Sequence, residues 1–317
     1  MKVKTGILLP TREVILGKDY SQAPNKIFEM ARYAESNNID SLWVGDSILA
    51  KPRIDPLITL SSLAAITKTI GLGTSIYIPA LRNPIVLAHT VMSTNFISQG
   101  RLIFGVGAGG TFNENQKHEW QSLNIDPSTR GSRLDEMLDI LNMFSKDDEI
   151  EFRGRHFKID SKSIFNNIEP AQNYPILCVS HGRSNIKKQF IRAAKHQGLI
   201  SISDYPNEFK FAINQMNEYG NKFNKVEKKY QSVFYMTINI NNDVRKAEQE
   251  ADSFIKSYYG VNIWGDRWGP FGESTKIIDK TNQYIESGAT TIIFRFASFN
   301  QMEQLYRFCD QIQKYIL

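Results

Sequence analysis

Short apolar runs alternate with amphipathic segments along the whole chain. The apolar runs predict strands, and the segments between them carry apolar residues at helical spacing, as in Ile85, Ala88 and Met92. The predicted strands are Val3–Leu9, Ser41–Val44, Ile70–Ile78, Leu102–Val106, Ile176–Ser180, Leu199–Ile202, Val233–Ile240 and Thr291–Phe296. Strands that alternate with helices in this way indicate parallel pairing. The pattern therefore predicts an α/β fold of the (β/α)8 TIM barrel class.

The chain of 317 residues is longer than a minimal barrel, so we expect insertions. Three segments fit: Thr111–Thr129 after the fourth strand, Asp147–Tyr174 before the fifth, and Tyr258–Gly272 before the last helix–strand unit. The second should contain a short β-hairpin around Arg153–Arg155. Part of the third, Trp264–Gly272, is aromatic and glycine-rich and is typical of a mobile rim over a site. No shift in composition marks a boundary, so we predict a single domain over residues 1–317.

Composition narrows the class of protein. Only two cysteines in a chain of 317 residues indicate a reduced, cytoplasmic protein, and no apolar stretch has the length of a membrane span. The net charge is +5 and the pI is about 9.0. Scattered basic residues are explained by a solvated surface or by attraction of an anionic ligand. They form no stripe interleaved with aromatics, so we expect a small-molecule substrate rather than nucleic acid.

Polar residues at the ends of predicted strands are the first candidates for a site, because parallel α/β proteins bind ligands there. Asp46 ends an apolar strand and could accept a hydrogen bond from a ligand, act as a base, or cap the next segment. Thr74 and Ser75 place hydroxyls in an otherwise apolar strand, where they need partners. Arg82 follows, and it could face an anion or lie in a surface loop.

Two glycine-containing loops add to these candidates. Gly105–Gly110 reads GVGAGG, but the polar segment after it lacks the apolar helix of a dinucleotide fingerprint. We interpret this loop as one that lets backbone approach a flat ligand, with Asn113 and Glu114 nearby. Val179–Asn185 reads VSHGRSN and precedes a basic helix. Backbone N–H groups at such a helix start, with Arg183 and Ser184, favour phosphate binding.

The order and spacing of these motifs resemble those of the bacterial luciferase-like monooxygenase superfamily of flavin- and deazaflavin-dependent oxidoreductases. The resemblance covers nearly the whole chain and depends on several segments together. These are GILLP (6–10), SLWVGDS (41–47), GLGTSIYIPALRNPIVLAH (71–89), QGRLIFGVGAGG (99–110), RGSRLDEMLDIL (130–141), PILCVSHGRS (175–184) and GATTIIF (288–294). It implies a (β/α)8 barrel with insertions, a homodimer, and FMN or coenzyme F-420 as cofactor.

The resemblance also implies roles for individual residues. Ser75 and Ile76 match a non-proline cis peptide that lies under the cofactor ring in the deazaflavin branch. Asp46 matches a ring-contacting aspartate. The remaining matches are to a loop beside the cofactor (Gly107, Ala108, Gly109 and Asn113) and to its phosphate site (Gly182, Arg183 and Ser184). We expect no metal, since the histidines show no ligand spacing.

Two positions depart from the deazaflavin-dependent dehydrogenases that resemble this chain. Ser47 and Gly110 stand where several of those enzymes have a histidine and a glutamate. We therefore take Asp46, Glu13 and His181 as the candidate catalytic residues, with Glu114 and His118 left open. The expected activity is hydride transfer to or from FMN or F-420, or activation of dioxygen with FMN. The alternatives are a nicotinamide-dependent dehydrogenase and a non-catalytic flavin-binding barrel protein.

Overall fold

Strands and helices alternate from end to end of the described chain. The structure is a computed structural model and describes residues 2–16, 23–147, 149–162, 174–184, 186–223, 229–262 and 265–316. The strands are β1 (Lys4–Leu8), β2 (Ser41–Val44), β3 (Gly71–Thr74), β4 (Leu102–Val106), β5 (Glu149–Arg153), β6 (Lys158–Lys162), β7 (Ile176–Val179), β8 (Gly198–Ile202), β9 (Gln231–Ile240), β10 (Phe271–Gly272) and β11 (Thr291–Phe296). The helices are α1 (Glu13–Leu16), α2 (Ala23–Ser36), α3 (Pro56–Ile66), α4 (Pro84–Ile97), α5 (Glu114–Ser122), α6 (Arg130–Phe144), α7 (Lys187–Lys195), α8 (Pro206–Lys222), α9 (Val244–Tyr259), α10 (Ser274–Glu286) and α11 (Gln301–Gln311).

The chain divides into two compact units, which we call the first unit (Met1–Trp43 with Leu177–Leu317) and the second unit (Val44–Ile176). In the first unit, including the larger parts of β2 and β7, parallel strands follow the order β7–β8–β9–β11–β1–β2. The short β10 adds to β9, also in parallel. The prediction of one domain over residues 1–317 stays a prediction.

The two faces of the first unit's sheet carry different side chains. Phe294 and Phe296 of β11 contact Phe308 of α11, with ring centroids 4.5 and 6.3 Å apart. On β9, Phe234 stacks on Tyr284 of α10 at 3.7 Å. These residues mark the face that the helices cover. Because side chains alternate along a strand, Arg295 and its neighbours in register point to the opposite face.

The second unit contains two parallel strands and a hairpin. β3 pairs with β4 through Leu72↔Leu102 and Gly73↔Ile103. β5 and β6 form the antiparallel hairpin predicted around Arg153–Arg155, with Arg153 opposite Lys158. Helices α3 and α4 each begin with a proline after a capping side chain: Asp55 accepts from two backbone N–H groups, and Asn83 does the same.

One local prediction in the second unit is wrong. The strand predicted over Ile70–Ile78 ends at Thr74, and the chain continues into a 3-10 turn at Pro79–Leu81. The helix predicted from the spacing of Ile85, Ala88 and Met92 is α4, in which Ala88 and Met92 are buried and Ile85 is 43% exposed. A helix that starts at Pro84 places Ile85 in its first turn, where it projects into solvent. Among the described residues, no helix is long and apolar enough to cross a membrane.

Candidate functional site

Three strand ends of the second unit are tied together by hydrogen bonds. The backbone N–H of Ser75 donates to the carbonyl of Val44 at 2.7 Å, and that of Tyr77 donates to Gly105 at 2.8 Å. Gly107 in turn donates to the carbonyl of Tyr77 at 2.9 Å. The structure therefore brings the segments after β2, β3 and β4 to one edge. This edge holds four of the predicted site residues: Asp46, Ser75, Ile76 and Gly107.

The carboxylate of Asp46 is fully engaged at this edge. Its Oδ2 accepts from the backbone N–H of Ile78 at 2.9 Å and from Arg82 Nη1 at 2.5 Å, and its Oδ1 accepts from Arg82 Nη2 at 2.8 Å. Burial raises the pKa of Asp46, while the charge of Arg82 opposes that rise. Arg82 also lies 4.4 Å from the ring of Tyr77. The anion that Arg82 faces is therefore Asp46 itself, and Asp46 fixes the turn at Ile78.

The peptide bond between Ser75 and Ile76 is cis, as predicted, and its place under a cofactor ring stays a prediction. Both residues are partly exposed, although Thr74 before them and Tyr77 after them are buried. Gly45 packs closely here: a Cβ on it would lie 2.2 Å from Arg53 Nη1 and 3.5 Å from the carbonyl of Ser75. The segment thus presents backbone, rather than large side chains, at the strand ends.

In the glycine loop after β4, each residue has a different structural role. Gly109 has a φ of +76°, and a Cβ on it would lie 2.9 Å from Trp120 Cζ2. Trp120 Nε1 donates to the carbonyl of Gly110 at 3.0 Å. Ala108 is partly exposed. Asn113 is the N-cap of α5, because its side-chain oxygen accepts from the N–H of Gln116 at 3.0 Å. A contact between Asn113 and a cofactor stays a prediction.

Glu119 is a buried carboxylate that the sequence analysis missed. Its Oε1 accepts from Ser47 Oγ at 2.9 Å and from the backbone N–H groups of Ile48, Leu49 and Ala50 at 2.7, 2.8 and 3.2 Å. Glu119 is only 3% exposed. It holds the loop after Asp46 in place. Its only signal in the sequence is a charged residue beside Trp120 in a polar helix, which does not identify such a partner.

In the first unit, the predicted phosphate loop forms a 3-10 turn at Gly182–Ser184. Gly182 N–H donates to Asp204 Oδ2 at 2.8 Å, and Arg183 Nη1 donates to Asp204 Oδ1 at 2.8 Å. Ser184 Oγ donates to the carbonyl of His181 at 2.9 Å. A Cβ on Gly182 would lie 1.9 Å from the carbonyl oxygen of Glu208, so only glycine fits there. The donors assigned to a phosphate thus already have partners within the protein.

Asp204 organises this part of the first unit. It also accepts from Ser201 Oγ at 2.7 Å, and its backbone carbonyl accepts from the Tyr284 hydroxyl at 2.7 Å. His181 Nδ1 lies 3.9 Å from Asp204 Oδ2. Burial and the charge of Arg183 lower the pKa of His181 to about 4, against the pull of Asp204. His181 is therefore neutral at pH 7. Asp204 follows β8 as Asp46 follows β2, and this same signal could have identified it.

Glu13 and the predicted rim segment lie elsewhere in the first unit. Glu13 begins α1, and its charge acts on Arg295 through space. Trp264 lies outside the described residues. Trp268 is only 5% exposed, so its side chain packs inside the protein rather than forming an exposed rim. The segment around it is held by Arg267, whose Nη1 lies 2.6 Å from Glu208 Oε2. Whether this segment moves stays a prediction. In the described parts of the chain, no group of three acidic, cysteine or histidine side chains could hold a metal ion.

Comparison with known proteins places these features in a family. A profile described as luciferase-like monooxygenase matches residues 3–292. An F-420-dependent glucose-6-phosphate dehydrogenase from Kineococcus radiotolerans is 28% identical over 169 residues, 50% of this chain and 48% of that protein. A 5,10-methylenetetrahydromethanopterin reductase from Methanolobus tindarius is 25% identical over 73% of this chain and 66% of its own length. The matched part of the chain thus spans about half the length of the first of these relatives.

Solved structures agree on the fold. An F-420-dependent secondary alcohol dehydrogenase has a TM-score of 0.79 at 19% identity, covering all of both chains. A monooxygenase from Streptomyces bottropensis has a TM-score of 0.83 at 16% identity, covering 98% of this chain and 99% of its own. These likenesses and the strand–helix order confirm the predicted (β/α)8 barrel class with insertions. Because this family profile covers most of its length, the chain belongs to the luciferase-like monooxygenase family.

Proposed function

We propose that this protein is an oxidoreductase that uses a flavin-type cofactor, F-420 or FMN, to oxidise or reduce a small organic molecule. The observation that carries the proposal is the edge of the second unit, where the cis Ser75–Ile76 peptide is partly exposed between buried neighbours. The relatives named as F-420-dependent support it. Such a cofactor supplies hydride transfer when it is bound, and the protein orients it and excludes water.

The residues at this edge fit a flat ring. Two small residues, Ser75 and Ala108, and the apolar Ile76 are partly exposed here. Asp46, which is paired with Arg82, accepts a hydrogen bond from the N–H of Ile78. Glu119 accepts hydrogen bonds from the loop at Ile48–Ala50. Asp46 therefore positions the ring surface rather than acting as a base. This leaves Glu13 and His181 as the candidates for proton transfer.

His181 suits a proton acceptor in its neutral state. Because burial keeps its pKa near 4, its imidazole is unprotonated at neutral pH. Arg183 and Asp204 fix its surroundings. The assignment of the cofactor phosphate to Gly182–Ser184 depends on the sequence motif and stays a prediction. Since Asp204 already engages Arg183, an incoming phosphate would share that guanidinium rather than find it open. We do not propose sugar-phosphate oxidation, because Ser47 and Gly110 replace the histidine and glutamate of those enzymes.

A cofactor titration tests the proposal. F-420 and FMN are titrated into the purified protein and followed by absorbance and fluorescence, with NADPH as the nicotinamide comparison. We expect micromolar or tighter binding of F-420 or FMN and none of NADPH. Ile76→Asp should weaken that binding at least tenfold, since it adds a like charge to a surface that receives an anionic cofactor.

The matched control is Ile85→Asp, which introduces the same charge at a residue that is 43% exposed on α4. It should bind the cofactor as the parent does. Equal affinity in the two variants would overturn the assignment of the ring to Ser75–Ile76. Binding of neither F-420 nor FMN by the parent protein would overturn the proposed function.

A further inference from the structure

Arg295 is a buried cation surrounded by aromatic rings. It lies in β11 on the face opposite α10 and α11 and is 1% exposed. Its guanidinium carbon lies 5.0 Å from the ring centroids of Tyr258 and Trp268, and 5.3 and 5.6 Å from those of Tyr259 and Phe254. Aromatic rings attract a cation electrostatically, but they carry no net charge that could neutralise the guanidinium. Among the described residues, no carboxylate lies within 4.0 Å of Arg295.

One edge of the Arg295 guanidinium makes no hydrogen bond. Nη1 donates to the Tyr259 hydroxyl at 2.7 Å and lies 3.5 Å from that of Tyr235. Nε and Nη2 have no partner in the described structure, and neither is in contact with solvent. These two nitrogens form the side of the guanidinium that binds a carboxylate with two parallel hydrogen bonds. The pairing edge of a buried cation is therefore the part left without a partner.

Thr237 adds a third polar group without a hydrogen-bond partner on the same face of the sheet. Arg295 and Thr237 are direct neighbours in the parallel register of β11 and β9, so their side chains lie on the same face. The hydroxyl of Thr237 is buried and also has no hydrogen-bond partner in the described structure. Buried polar groups are almost always satisfied, and exceptions need an explanation. Three such atoms on neighbouring strands indicate a ligand.

We propose that Arg295 and Thr237 form a binding site for the carboxylate of a small organic ligand. The two nitrogens would bind the two carboxylate oxygens, and the Thr237 hydroxyl would donate to one of them. A carboxylate fits better than a phosphate because it is planar and carries one charge. Such a group can lie in the plane of a guanidinium whose faces meet rings.

Entry to this site requires a side chain to move, since no water-sized space touches the two nitrogens. We expect the side chain of Trp268 to be the one that moves. It is followed by Gly269, with a φ of +100°, and preceded three residues earlier by Gly265, with a φ of +53°. The carboxylate site shares no residue with the proposed cofactor site, because Arg295 and Thr237 have no part in the cofactor assignment. Its failure and the failure of the cofactor proposal are therefore separate results.

The test is calorimetric titration of the full-length protein with acetate and benzoate, and with acetamide and benzamide as neutral matches. We expect at least one carboxylate to bind at least tenfold more tightly than its amide. Arg295→Met should abolish that preference, Arg295→Lys should restore part of it, and Thr237→Val should reduce it severalfold. Equal binding of acid and amide in every pair would overturn the proposal. Tighter binding of inorganic phosphate than of either acid would overturn the choice of carboxylate.

Thermal unfolding of the same variants separates a binding role from a structural one. Arg101 is the matched control, because its guanidinium donates to the carbonyls of Ala64, Ile70 and Ser98 at 3.0, 3.1 and 2.8 Å. Arg101→Met should lower the unfolding temperature clearly. Arg295→Met should leave it unchanged or raise it, because it removes a buried charge that no carboxylate among the described residues pairs with at close range. An equal drop in both variants would assign Arg295 to the structure of the protein rather than to a ligand.

Discussion

Arg82 of the second unit and Arg295 of the first unit are both packed against aromatic rings, yet among the described residues only Arg82 has a carboxylate within 4.0 Å. Arg82 lies 4.4 Å from the ring of Tyr77 and binds both oxygens of Asp46. Arg295 lies among four rings, and in the part of the chain that the structure describes its hydrogen-bond partners are tyrosine hydroxyls. A buried charge that serves the fold is expected to be paired, since burying it alone is costly.

The difference separates two uses of a buried arginine. At Arg82 the counter-ion is supplied within the chain, and the result is a fixed turn that carries the N–H of Ile78. At Arg295 the chain supplies rings and hydroxyls but leaves the pairing edge open. The first arrangement stabilises a surface on which a ligand can rest. The second is the one expected when the counter-ion arrives with the ligand.

Breaking the closed pair should have the largest effect on stability. We expect Asp46→Ala to lower the free energy of unfolding by about 3 kcal/mol, the low end for a buried ion pair, because the Arg82 side chain is 15% exposed. Urea unfolding measures the loss. Asp55→Ala is the control: Asp55 caps α3 and lies 3.6 Å from Arg82, but its side chain is 39% exposed. We expect about 1 kcal/mol for that cap. A loss at Asp46 no larger than at Asp55 would contradict the comparison.

In the first unit, Arg183 is paired with Asp204 as Arg82 is paired with Asp46 in the second. The neighbouring His181 makes the stability of this region depend on pH. The pKa of His181 falls from 6.5 to about 4 on folding. The unfolded chain therefore binds this proton more tightly, so stability is complete above about pH 6.5 and declines toward pH 4. At about 1.4 kcal/mol per pH unit, the loss is limited to about 3 kcal/mol.

The measurement for His181 is urea unfolding of the parent and of His181→Gln at several pH values between 7 and 4. The variant lacks the titrating group, so its stability should fall less over this range. Parallel pH profiles would show that His181 is not buried as a neutral imidazole. Because the parent and the variant share every other titratable group, the difference between their pH profiles isolates His181.

Replacing Glu119 tests whether the loop after Asp46 depends on charge. Its carboxylate accepts from one hydroxyl and three backbone N–H groups. Glu119→Gln keeps an acceptor but removes the charge, so we expect a loss of about 1–2 kcal/mol in the free energy of unfolding. Glu114→Gln on the same helix is the control, since the side chain of Glu114 is 86% exposed. If both variants unfold at the same urea concentration, the charge of Glu119 does not hold this loop.

The strands could be predicted from sequence because each is an apolar run that ends at glycine, proline or small polar residues. Ser41–Val44, Leu102–Val106 and Thr291–Phe296 were predicted with the bounds that the structure has. The third strand was predicted too long. Its last residues, Ser75 to Ile78, have the composition of a strand, and their departure from β structure depends on contacts with Val44 and Gly105.

The site residues were predictable only where local sequence carries their signal. Asp46 and the Gly182–Ser184 turn follow apolar strands, and motif spacing located both. Asp204 carries the same signal but was passed over, and its role depends on residues about 20 positions away. Glu119 could not be found, because its partners are backbone N–H groups some 70 residues earlier. Arg295 was visible as a charge within the strand TIIFRF, but the rings around it come from distant segments.

The smallest predicted effect concerns what keeps Trp268 against Arg295. Arg267 pairs with Glu208 at 2.6 Å and donates to the carbonyl of Ser203 at 2.9 Å, and the next residue is Trp268. Arg267→Met should cost about 1 kcal/mol or less, because the paired side chains are 24% and 22% exposed. The informative readout is amide exchange at Gly269, whose N–H donates to the carbonyl of Thr237 at 3.0 Å.

We expect faster exchange at Gly269 in Arg267→Met and unchanged exchange in the middle of β9, since only the segment around Trp268 loses an anchor. Lys222→Met is the control. It removes an exposed ion pair with Glu218 on α8, the helix that also carries Glu208. Unchanged exchange at Gly269 in Arg267→Met would mean that the rings themselves hold Trp268 in place. In that case the open edge of Arg295 would be covered by packing alone, and a ligand would have to displace Trp268 without help from the Arg267 anchor.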